Sequence, residues 1–251
     1  MLYYNTITHL YRPEMLILTF VDGALRNTFE PGLADGREWP QPATGGLLVA
    51  LSTKPDAPEV ALYDTLLALR AAYGHEGPLL VLDLLTRDGP QLTNHTNVGL
   101  DLFSGGPSRV AHRFGLLYCE WLRRFCAYPR SQPDASLFRL QLEEALGVSW
   151  APSWMALHDF PSFVEFLDGL GFPYMPQMRA LLHVLLDSPQ VVRSVTCAGM
   201  GQTLTFPASL HKAGMLQLVL PPASYTGNSG LLGSLVRSEL LQAMLPDEAL
   251  A

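Results

Sequence analysis

The stretch "SGGPSRVAHRFGLLYCEWLRRFCAYP", residues 104–129, is where the chain changes character. Two glycines and a proline open it, Ser104 or Ser108 stands near the cap of a helix, and Pro129 lies beyond its end. Spacing of i, i+3 and i+4 puts Arg109, His112 and Arg113 on one helical face. "SGGPS" before a helix exposes backbone N–H groups that can receive an anion, so these three are candidate anion-binding residues. The loop lacks the lysine and spacing of a P-loop, and a solvated helix face accounts for the same cluster.

Downstream, "PDASLFRLQLEEALG", "FPSFVEFLDGLGF" and "MPQMRALLHVLLDSP" read as three more helices, the last two with an apolar stripe. From Val191 the pattern reverts to strands, in "VVRSVTCAG", "QTLTFPAS" and "MLQLVLPP", before a final helix, "LLGSLVRSELLQAML". Upstream, "MLILTFVDG" (15–23), "GLLVALS" (46–52) and "PLLVLDLL" (78–85) read as strands, and "VGLDLF" as a short fourth. "PEVALYDTLLALRAAYG" reads as a helix between the second and third, the segment 30–46 as a loop, and "TRDGPQLTNHTN" as polar turn material.

The expected class is therefore α/β or α+β, a mixed sheet with a central helical sector at about 107–190. A returning C-terminal β segment and a closing helix complete it. The corresponding division is 1–106, 107–190 and 191–251, with the last strands free to complete the first sheet in a single compact unit.

Composition limits the functions open to such a fold. Of 251 residues, 48% are apolar and only 16% charged, and the net charge is −7. A chain this lean in charge either fills a large core or hides surface in a partner or a second copy. Lys54 and Lys212 are the only lysines, and no basic stripe exists to neutralise phosphates, which disfavours simple electrostatic binding to nucleic acid. No stretch reads as a signal peptide or a membrane span, so a cytoplasmic protein is expected. Cys119, Cys126 and Cys197 form neither a disulfide framework nor a close-spaced zinc motif, and are expected as buried, inert thiols.

One acidic set has a chemical reading. Asp22 closes the first strand, Glu59 begins the first helix, and Asp83 and Asp88 lie on or beyond the third strand. Carboxylates gathered from strand ends and a helix start can hold Mg²⁺ or Mn²⁺ for phosphodiester cleavage. The order of "FVDGALRN", "TGGLLVALS" and "PEVALYDTLLAL" loosely resembles the ribonuclease H-like fold, which implies an aspartate, a glutamate and a second aspartate as metal ligands. The likeness spans about a third of the chain, carries no rare motif, and does not assign the chain to that family. Asp22 and Asp88 also both precede glycine, as turn aspartates do, and Glu59 suits a helix N-terminus. Asp83 stands apart: inside "LLVLDLL", a buried carboxylate needs hydrogen bonds, a cation or a shifted pKa.

Finally, "SWAPSWMALHDFPSFVEFLDGLGFPYM", 149–175, concentrates aromatic and methionine side chains. A helical core uses such residues, and so does an interface, for which Trp150, Trp154 and Phe172 are the candidates. With no serine-hydrolase elbow and no metal-ligand spacing among the histidines, the sequence points first to a protein that binds another protein or itself. That reading needs no cofactor. A metal-dependent phosphodiesterase or nuclease is the alternative.

Overall fold

The computed structural model describes residues 15–21, 24–27, 47–52, 79–84, 95–103, 105–126, 134–148, 160–196, 203–204, 215–221 and 227–244. The expected helix at 58–74, the loop at 30–46, Cys197, and the candidates Asp22, Glu59, Asp88, Trp150 and Trp154 lie outside them.

The strands are β1 (Met15–Val21), β2 (Ala24–Asn27), β3 (Leu47–Ser52), β4 (Leu79–Asp83), β5 (His95–Asn97), β6 (Gly99–Leu100), β7 (Thr203–Leu204) and β8 (Met215–Val219). The helices are α1 (Pro107–Phe125), α2 (Ala135–Val148), α3 (Phe160–Leu170), α4 (Met175–Leu186), α5 (Pro189–Thr196) and α6 (Ser229–Met244). Backbone ladders join β2-β1-β3-β8-β4-β5, parallel except for β1 with β2. A separate short ladder joins β6 to β7.

The expectation of a mixed-sheet α/β or α+β fold is overturned by the make-up of the described residues. The described body is mostly helical. Among the residues whose burial is described, strands contribute Leu80, Val81, Leu82, Leu100 and Leu218 to its core, and every helix contributes buried apolar side chains at helical spacing. On α1 these are Val110, Phe114, Leu117 and Tyr118, on α2 Phe138, Leu142 and Leu146, and on α4 Met178, Leu181, Leu182 and Leu185. Phe103, Phe114, Phe160 and Phe163 form the aromatic centre, with Phe114 and Phe163 stacked at 4.7 Å between ring centroids.

Local punctuation explains the helices, and three expectations change. First, the cap of α1, expected near Ser104 or Ser108, lies between them. It is Gly106, without a side-chain bond, after Gly105 and Gly106 turn the chain at φ of 89° and 92°, and Pro107 begins the helix. Second, "VVRSVTCAG" is not a strand: residues 191–196 lie in α5. Its valines favour β structure in isolation, but Ser188 and Pro189 act as N-cap and first helical residue, and the Ser188 hydroxyl accepts a bond from the Val191 N–H at 3.5 Å. Val191 and Val195 then fall four apart and are both buried. Third, His95–Asn97, read as turn material, is β5, and "VGLDLF" keeps strand structure only at Gly99–Leu100. Asp101 explains that early stop, because its carboxylate accepts the Phe103 N–H at 2.9 Å and turns the chain toward α1.

The start of α2 is built as its sequence suggests. The Asp134 carboxylate accepts the Ser136 N–H at 2.8 Å, and its carbonyl accepts from Phe138 at 2.9 Å. Between α3 and α4, Gly171 has φ of 68°, its N–H reaches the Asp168 carbonyl at 3.0 Å, and the Phe172 N–H reaches that of Leu167 at 3.1 Å. This is a Schellman turn, which brings Phe172 back over Leu167.

Candidate functional site

Asp83 ends β4, in register with Val219 of β8, and is 5% exposed. Leu82 and Leu84 on either side of it are fully buried. Asp83 makes further interactions within the protein. Its three proposed co-ligands are outside the described residues. Among the described residues no group of three or more His, Cys, Asp or Glu side chains is arranged to hold a metal ion.

The three candidates on α1 do not share an open face. Arg109 is exposed and His112 half-buried, but Arg113 is turned inward at 1% exposure. Its Nε donates to Glu239 Oε1 on α6 at 3.2 Å, and its Nη1 donates to the Leu102 carbonyl at 3.3 Å. Arg113 thus ties the loop before α1 to the last helix. Beside it, His112 Nε2 lies 3.0 Å from the side-chain amide of Gln242, also on α6. Burial holds the His112 imidazole below its ordinary pKa; Glu239 opposes this, and Arg139, Arg109 and Arg113 reinforce it.

Further along the same helix pair, Glu120 binds two arginines, at 2.6 Å to Arg123 and 2.6 Å to Arg124. Arg124 Nη2 donates to Ser234 Oγ of α6 at 3.0 Å, and the Ser234 hydroxyl donates back to Glu120 Oε1 at 3.3 Å. The hydrogen bond from Arg123, with help from Arg124 and against the cost of burial, pulls the Glu120 carboxyl down to about 2. Arg237 of α6 donates to the Pro221 carbonyl after β8. Polar contacts therefore fasten α6 to α1 along its length, over an apolar floor that includes Leu235, Val236 and Leu240.

Sequence reasoning misses Glu120, Ser234, Glu239 and Gln242. The available signal is slight: a glutamate and a glutamine set among leucines in "SELLQAML".

Phe172 is core rather than contact surface. It is 3% exposed, with its ring 5.9 Å from Phe138 and 6.0 Å from Tyr174. Apolar display occurs instead on α2, where Leu137 is 44% and Leu140 56% exposed, on the side of the helix away from buried Phe138, Leu142 and Leu146. Phe125 and Leu186 are also exposed. The expectation of buried thiols fails at Cys119, which is exposed on α1, while Cys126 is half-buried; both are free.

No known protein family matches the chain, and neither does any curated protein or solved structure. Among the described residues, no helix is long and apolar enough to cross a membrane.

Proposed function

We propose that the protein acts by association, with itself or with a protein partner, through the outer face of α2. The supporting observation is the exposed pair Leu137 and Leu140, one helical turn apart on a helix whose opposite side is firmly packed. Isolated surface leucines are common, but adjacent ones on a rigid helix make a small apolar contact that a second surface can cover. Sedimentation velocity of the full chain against Leu137→Ser/Leu140→Ser tests the self-associating form. A concentration-dependent dimer that the double variant abolishes, with its helical signal unchanged, supports the reading. A wild-type monomer at the highest attainable concentration removes self-association, and an unaltered dimer in the double variant removes the α2 face.

A metal-dependent phosphodiesterase is the second reading, and the buried carboxylate of Asp83 at a strand end is what favours it. Thermal stability with and without Mn²⁺ is the direct test: a stabilisation by saturating metal that Asp22→Asn or Asp83→Asn abolishes supports it, and no shift with the wild type overturns it.

A further inference from the structure

The contact between α1 and α6 holds a titratable side chain among fixed charges. Arg109 and Arg113 of α1, Arg139 of α2 and Glu239 of α6 act on His112. Three guanidinium groups thus oppose a charge on the ring against one carboxylate that favours it, and that carboxylate already accepts from Arg113 at 3.2 Å. A neutral imidazole with its proton on Nδ1 can accept at Nε2 from the Gln242 amide, 3.0 Å away. A protonated ring has no acceptor left. Rotation of the Gln242 amide would restore one hydrogen bond, but the added positive charge would remain beside the arginines.

We propose that His112 makes the seating of α6 on α1 proton-sensitive, so that the helix is held firmly when the imidazole is neutral and loosens when it takes a proton. The direction of the shift agrees, because burial and the arginines lower the ring's affinity for a proton in the folded state. A depressed folded value means that this stabilisation is complete above the ordinary value of 6.5 and is lost as pH falls through the folded value. Glu120, the carboxylate of α1 that bonds to Ser234 of α6, titrates far below this window, at about 2.

Hydrogen exchange on the full chain, corrected for the intrinsic effect of pH, reads the change directly. The amides of Leu235, Val236 and Leu240 report on α6, and those of Leu181 and Leu182 in α4 serve as reference. Between about pH 7.5 and about pH 5.5, protection in α6 is expected to fall roughly threefold or more relative to α4, and His112→Gln is expected to abolish that fall. An equal fall in both helices, or the same fall in His112→Gln, overturns the proposal. If that variant does not fold, the imidazole titration in the wild-type protein decides by NMR. A midpoint below about 6.5, tracked by α6 resonances, supports the proposal, and a midpoint at or above it overturns it.

Discussion

Arg113 and Glu239, separated by 126 positions in the chain, meet at 3.2 Å with 1% and 4% of their side chains exposed. Such a pair is costly to bury and more costly to break, because removing one partner strands the other charge without water. Arg113→Met or Glu239→Leu alone is expected to destabilise the fold by about 3–5 kcal/mol in urea denaturation. The double replacement should recover most of that loss. A double variant as unstable as the two single losses added would show that the pair is not a coupled unit.

Two glycines of α3 and its terminal turn should respond in opposite directions. Gly171 has φ of 68°, and a methyl group added there would have no atom within 4 Å, so Gly171→Ala meets backbone strain alone and should cost roughly 1–2 kcal/mol. Gly169 sits inside α3, also in open space, and Gly169→Ala should stabilise by about 0.5–1 kcal/mol. Thermal midpoints of the two variants, moving apart from the wild type, check both assignments.

Tyr118 is fully buried, stacked on Phe138 at 4.1 Å, and its hydroxyl has no hydrogen-bond partner among the described residues. Burial, with Tyr174 and Cys126 nearby, pushes its pKa up to about 12. Tyr118→Phe keeps the stack and removes the orphaned hydroxyl, so stability should hold or rise by about 1 kcal/mol. The raised value also means that the fold keeps this contribution below the ordinary value of 10.0 and loses it as pH climbs toward about 12. Alkaline denaturation should therefore be delayed in the Phe variant.

At the acid end, Glu120 carries the opposite sign. Its folded value of about 2 lies below the ordinary 4.5, so its contribution is present above about 4.5 and lost as pH falls toward 2. Glu120→Gln should be less stable than the wild type at neutral pH, and the gap should close between those values. A constant gap down to pH 2 would show that the arginine bonds do not set it.

The helical content is legible in the sequence because caps and stripes are local. Asp134 before α2 and the Leu167–Phe172 turn after α3 act through neighbours within five residues. α5 is easily misread because Val191, Val192 and Val195 look β-like until Ser188 and Pro189 are recognised as a beginning rather than an end. The fold class is obscured for a related reason. Short apolar runs announce strands, but nothing in them reveals that helices make up most of the described residues. At the candidate site, the α1 cluster of Arg109, His112 and Arg113 is visible as spacing. Its inward turn is not, because Glu239 and Gln242 approach from the far end of the chain.

That distance has a consequence for the order of assembly. α1 to α5 are consecutive along the chain, whereas α6 follows β7 and β8 and meets α1 through contacts such as Arg113 with Glu239, 126 positions apart, and the entropy lost in closing a loop grows with its length. The helices from α1 to α4 can condense from near neighbours before the closing helix arrives. Substitutions at Arg113 should accordingly leave the folding rate almost unchanged and appear as faster unfolding, the kinetic mark of a contact made last.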